Sequence, residues 1–425
     1  MSKPAEQRSG MSQRGGMPLG SLGKGEVALP DRAVAEALRA KLVERARALA
    51  PLLAKNAHQT EIGRRVAEEN IIALQRAELF KIMIPHRFGG LETDLRTFLE
   101  VARELAKGCG STAWALSLIN ACALFTGMGP DRLQQDVWGA TPNARVAGAF
   151  GGQAQSRRGD GGLIVSGKWP WSSGCLHADW GFVGLPVVDA AGEVIDQGFA
   201  LIPISDLTIE ETWFVAGMKG TGSNTLAAKD VLVPDHRILS VPALIGGNYP
   251  TPHKDEALYR SSFIPVATLI LIGPQLGLAA RALELVLEAA PKRGVAYTCY
   301  ESQMTAPTVQ LALARAAMLI ETAHLHAYRA AAAIDEAARA GKPLDYLERA
   351  RIRMETGYVA ETAREAIRIL CSTHGASAFA EVNPLQRIWR DSEVASRHAM
   401  VNPDINAEIF GRALLGDTQN ITSLV

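Results

Sequence analysis

From Asp31 to about Gly139 apolar residues return every three to four positions, the period of a helix with one buried face. Leu95, Phe98, Leu99, Ala102 and Leu105 form one such stripe; Asp94 stands where an N-cap belongs and Gly108 where the helix should stop. Ser111 is placed to cap the next helix, which carries Trp114, Leu116, Leu118 and Ile119. Between about Ala144 and His236 the period changes. Short apolar runs over 144–150, 163–171, 182–188, 199–204 and 231–234 are punctuated by Gly, Pro and Asp, which predicts strands separated by turns. Helical periods return over 307–340, 344–370 and 384–415, rich in alanine and suited to close helix packing. The longest apolar run, 263–280, is broken by Pro265, Gly273, Pro274 and Gln275, which predicts a kinked buried helix and no membrane span.

Helices, then strands, then helices make an α+β multidomain chain and disfavour a doubly wound parallel sheet. The expected division is a flexible tail over 1–30, an N-terminal α-helical domain over 31–143, a middle β-domain over 144–240 and a C-terminal helical domain over 241–425. With 44 basic and 44 acidic residues and no basic stripe, nucleic acid is not an expected partner. The five cysteines are scattered without a Cys-x-x-Cys pair, which points to reduced thiols in a cytoplasm and no metal.

Candidate chemistry concentrates between Gly167 and Trp180, where three of the seven tryptophans stand among Ser172, Ser173, Gly174 and His177. A strand is expected to turn at Pro170 and return from Trp180. Such a turn offers hydroxyls and backbone N–H groups between aromatic walls and suits a flat, heteroatom-rich ring; the other reading is a Trp-rich corner of the core. Two phosphate-loop likenesses fail. Gly162 to Lys168 lacks the following Ser or Thr, and Gly220-Thr-Gly222 lacks a third glycine, so no nicotinamide site is visible.

A second glycine-hydroxyl stretch, Gly217-Met-Lys-Gly220-Thr221-Gly222-Ser223-Asn224, and a late Arg390-Asp391 follow the tryptophan turn. In this order, over about 31–416, the chain resembles the acyl-CoA dehydrogenase superfamily. The resemblance implies a helical N-terminal domain, a middle antiparallel β-domain and a C-terminal four-helix bundle, with a flavin between the last two. Trp169-x-Trp171-x-Ser173-Gly174-x-x-His177-Ala178-x-Trp180, Ser111-Thr-Ala-Trp114 and Arg390-Asp391 followed by His398 look like the aromatic hydroxylase branch. That branch implies the oxygenase component of a two-component monooxygenase. It would take reduced FMN or FAD from a separate NAD(P)H:flavin reductase, use O2 through a C4a-hydroperoxide, hydroxylate a small aromatic substrate, and assemble as a homotetramer.

The rival is an acyl-CoA dehydrogenase with tightly bound FAD and a relocated base; a third reading is an inactive scaffold of the same fold. Dehydrogenation needs a carboxylate base. The family's two locations for it hold Ala399 and a stretch free of Asp and Glu between Glu256 and Glu284.

By the same resemblance Trp169, Trp171, Ser172, Ser173, Thr221 and Ser223 are cofactor contacts, the two serines as donors to the ring edge. The alternatives are core tryptophans, a capped turn and a Gly-Ser loop. If the strand runs on, Trp169 and Trp171 share a face. His374 and Gly375 are candidates for the phosphate or ribityl chain. Trp114, Asn120 and Cys122 are assigned to the substrate pocket, where relatives carry a histidine; without one, a neutral heteroaromatic such as indole fits. His398 is the catalytic candidate, expected on one helix with Arg390, donating to or accepting from the reacting atoms; a surface histidine is the alternative.

Overall fold

The computed structural model describes residues 32–425, so the tail expected over 1–30 lies outside the described residues. The first block is helical: α1 (Arg32–Lys55), α2 (Ala57–Ile62), α3 (Glu68–Arg76), α4 (Leu95–Gly108), α5 (Gly110–Gly127) and α6 (Asp131–Trp138). Asp94 caps α4, its Oδ1 accepting the Thr97 N–H at 2.8 Å. Ser111 does not cap α5. The chain passes from α4 to α5 through Cys109 alone, which leaves no extended residue for a side-chain cap at 111, and the Ser111 hydroxyl turns to the Met218 sulfur at 3.9 Å. Every residue of α5 except Leu118 is buried. That composition suits its place as the axis of the molecule, packed against α4, the middle block and the C-terminal helices.

The middle block contains β1 (Val146–Ala149), β2 (Gln153–Gly159), β3 (Gly162–Trp169), β4 (Trp180–Val188), β5 (Val194–Pro203), β6 (Thr208–Glu210), β7 (Thr225–Pro234) and β8 (Ile238–Ser240). They form two four-stranded sheets, ordered β1-β4-β5-β8 and β2-β3-β7-β6. All neighbours are antiparallel except β1 and β4, which run parallel. The sheets enclose Leu163, Val165, Trp169, Val183, Leu185 and Leu226. The strand β3 ends at Trp169, so the shared face expected of Trp169 and Trp171 does not form. Trp169 is fully buried, its Nε1–H donating to the Gly184 carbonyl at 2.6 Å. Trp171 adopts φ +62°, a left-handed backbone costly for a bulky residue, and is 67% exposed.

The last block comprises α7 (Val241–Ile245), α8 (Phe263–Leu269), α9 (Gly273–Ala289), α10 (Pro307–Ala340), α11 (Tyr346–His374), α12 (Pro384–Ala395) and α13 (Pro403–Leu414). The apolar run that begins at Phe263 is long enough to cross a bilayer but lies wholly inside the protein, broken between α8 and α9. The single helix expected over 384–415 is two. Pro403 lacks the N–H a continuing helix needs and its ring would clash with the preceding turn, so the chain leaves α12 after Ala395 and restarts at Pro403. His398 therefore lies in the connection and not on the Arg390 helix.

Candidate active site

The turn after β3 and the loop before β7 are zipped together through their backbones. Ser172 N–H donates to the Asn224 carbonyl at 3.1 Å and Gly174 N–H to the Thr221 carbonyl at 3.0 Å, while Asn224 Oδ1 accepts the N–H groups of Thr212 and Trp213. Positive φ at Gly174 (+80°) and Gly222 (+55°) lets both segments turn sharply enough to meet.

This pairing lines up four side chains. Trp114 Nε1 lies 3.2 Å from Ser173 Oγ, Ser173 Oγ 2.7 Å from Ser223 Oγ, Ser223 Oγ 2.6 Å from Thr221 Oγ1, and Thr221 Oγ1 2.9 Å from the Met218 carbonyl. The direction of the protons follows from the ends. An indole N–H can only donate and a carbonyl can only accept, so Thr221 gives its proton to Met218, Ser223 to Thr221 and Ser173 to Ser223. Ser172 gives its own to the Trp169 carbonyl at 3.1 Å. In this arrangement the hydroxyl protons of Ser172 and Ser173, and the N–H groups of residues 172–174, are engaged inside the protein, leaving oxygen lone pairs.

His398 stands beside this row, its ring 6.1 Å from that of Trp114. The imidazole is exposed to solvent beside this row, with enough protein around it that burial pushes its pKa down to about 4. Its Nδ1 accepts the Met400 N–H at 3.3 Å, which leaves the proton of the neutral ring on Nε2. His177, in contrast, is buried against Arg65 and Arg145; burial and then these charges lower its pKa to about 4.

A second group forms at the end of α11. Gly375 adopts φ +81°, ψ −170°, open only to glycine, and turns the chain so that the His374 carbonyl and Ser377 Oγ both accept from Arg293 Nη2, at 3.0 and 2.8 Å. Asn383 Nδ2 donates to His374 Nε2 at 3.1 Å, which places the ring proton on Nδ1. His374 Nδ1 and Arg293 Nε are buried donors without an acceptor. Two buried donors without acceptors in one corner are of the kind that a phosphate oxygen satisfies. Among the described residues no hydrogen bond joins this corner to the hydroxyl row.

Of the pocket candidates, Trp114 belongs to the row. Cys122 is buried against Gly148 and burial pushes its thiol up to about 12, so it is a neutral wall. Asn120 is fully buried with its amide N–H groups spent on the Leu79 and Leu116 carbonyls. Not foreseen were Arg293, Ser377 and Asn383, and a cluster of Phe125, Phe150, Phe182, Phe199 and Phe263 where the three blocks meet. Their partners are distant in sequence, and single phenylalanines carry no local signal.

Family models for the acyl-CoA dehydrogenase N-terminal and C-terminal domains match residues 33–138 and 269–403. With helices on either side of the paired sheets, these matches define an acyl-CoA dehydrogenase fold. The chain is 33% identical over 371 residues to the flavin-dependent monooxygenase oxygenase subunit HsaA of Mycobacterium tuberculosis, covering 87% of this chain and 93% of the relative. It is 30% identical over 389 residues to the p-hydroxyphenylacetate 3-hydroxylase oxygenase component of Acinetobacter baumannii, covering 88% and 89%. The structure of XiaF from Streptomyces sp. in complex with FADH2 and glycerol superposes with a TM-score of 0.87 at 35% identity, covering 92% of this chain and 98% of that one. The chain belongs to the flavin-dependent monooxygenase branch of the acyl-CoA dehydrogenase family.

Proposed function

We propose that the cleft beside His398 takes the ring of a reduced flavin and a small neutral aromatic substrate, and that the Arg293, His374 and Ser377 corner takes the flavin phosphate. The reduced flavin supplies the two electrons with which one atom of O2 enters the substrate and the other leaves as water. The observation that carries the reading is the Met400 N–H donating to His398 Nδ1 at 3.3 Å, which leaves the proton of the neutral ring on Nε2. It is a donor for oxygen at the reacting centre, where a dehydrogenase would need a carboxylate to accept a proton. Trp114 and exposed Trp171 wall the ring, Ser173, Thr221 and Ser223 present lone pairs to its edge, and Cys122 bounds the substrate with an uncharged surface. Buried Trp169 and Ser172 hold the turn from below, and the paired sheets over 144–240 carry it as a unit.

Electrons come from a separate NAD(P)H:flavin reductase. Purified protein with NADH and oxidised flavin should give no product, and adding a flavin reductase should start product formation. Sustained NADH oxidation by the pure chain would contradict the two-component reading. A homotetramer is supported by exposed Leu311, Met318 and Leu325, seven residues apart on one side of α10, a stripe suited to another helix. A cytoplasmic setting is supported by five unpaired cysteines.

A further inference from the structure

We propose that Asp391 is the positioning residue of this cleft, the point at which the three segments bearing its polar groups are fixed to one another. The inference rests on the flavin reading above and adds a residue with no place in the chemistry itself. Asp391 lies on α12, is 4% exposed, and its Oδ1 accepts the Met218 N–H at 2.5 Å. Met218 is held at φ +53°, and its carbonyl takes both the Thr221 hydroxyl and the Trp213 indole N–H at 2.9 Å. The Met218 peptide therefore closes the hydroxyl row on one side and is tied to α12 on the other.

The second carboxylate oxygen lies over the start of α5. A Cβ at Gly110 would sit 3.2 Å from Asp391 Oδ2 and 2.9 Å from a Leu278 methyl, so only glycine lets α5 approach this closely. That helix start has no side-chain cap, and a carboxylate there is favoured by the unpaired N–H groups. One turn along α5 is Trp114, the opening donor of the row. The chain that follows Asp391 leads out of α12 to His398. Its neighbour Arg390 adds a second tie, Nη1 donating to the Ala216 carbonyl at 2.7 Å, and the loop lies so close that a Cβ at Gly217 would fall 2.0 Å from the Arg390 carbonyl oxygen. Loop, helix and connection thus share one anchor.

The bond to Met218 is the decisive contact. An amide oxygen reproduces it, so Asp391→Asn should keep reduced-flavin affinity within about threefold of wild type and keep product formed per NADH. Asp391→Ala leaves the Met218 N–H unpaired and should weaken reduced-flavin binding at least tenfold, with oxygen diverted to peroxide. Gly217→Ala lifts the loop from α12 without touching the carboxyl and should reproduce the alanine phenotype. Binding is read anaerobically by fluorescence quenching with reduced FAD, and coupling as product against hydrogen peroxide. Wild-type affinity and coupling in Asp391→Ala overturns the proposal, as does an Asp391→Asn variant as poor as the alanine. Should Asp391→Ala fail to fold, Gly217→Ala against Asp391→Asn decides: equal affinities overturn it. Failure of the flavin reading is distinguishable, because wild-type protein would then bind no reduced FAD at all.

Discussion

The role proposed for His398 rests on one hydrogen bond and on burial, both acting on the same ring. The Met400 N–H fixes which nitrogen holds the proton, and enclosure keeps the ring uncharged above a pKa of about 4. Product formation per NADH should consequently show no titration of this group between pH 5 and 8. His398→Ala should bind reduced flavin as wild type does and lose about 10²–10⁴-fold in the oxygenation rate, the oxygen appearing as peroxide. Assay of peroxide and product side by side checks this; an unchanged ratio removes His398 from the mechanism. The residue's candidacy for the site was legible from its place after Arg390-Asp391. Its protonated nitrogen was not, because that depends on a backbone N–H two residues away in a turn that periodicity read as helix.

Among the elements, α4 and α10 followed from their apolar period, whereas the strands missed in the sequence, β2, β6 and β8, all lie at sheet edges, where one side is solvated and the apolar signal thins. The split between α12 and α13 was announced by Pro403 but hidden by the apolar period on either side of it. One contact between elements has a pH dependence. Asp335 on α10 accepts the N–H groups of Leu95 and Arg96 at the start of α4, and burial, with Asp94 nearby, raises its pKa from 3.8 to about 7. A carboxyl raised on folding prefers its protonated form in the folded state, so its contribution is lost as pH rises from about 4 to about 7, by up to about 4 kcal/mol. Asp335→Asn does not titrate. Relative to wild type, its stability in urea unfolding should improve steadily from pH 5 to 7; a constant difference would refute the shift.

At the scale of the whole molecule, α5 joins the blocks, and the Phe cluster around Phe125 seals their junction. The candidate site is correspondingly composite: its tryptophans, serines and glycines were legible as a local concentration, while the Arg293 corner draws on residues 81 to 84 positions apart and could be assembled only by the fold. The α10 stripe has its own test. Glutamates at Met318 and Leu325 place like charges in the proposed contact and should reduce the assembly to smaller species by light scattering, with helix content retained; an unchanged mass would exclude this face as the interface.

The hydroxyl row carries one more consequence. Since each of its oxygens has already given its hydrogen away, an approaching ring meets only electron pairs, and an edge bearing N–H is received where a bare nitrogen or carbonyl is repelled. Two-electron reduction of a flavin adds such an N–H. At the proposed flavin site the turn would thereby distinguish a reduced from an oxidised ring by its hydrogens, favouring the form that can react with oxygen and releasing the spent one, the behaviour required of an enzyme that borrows its cofactor anew at every turnover.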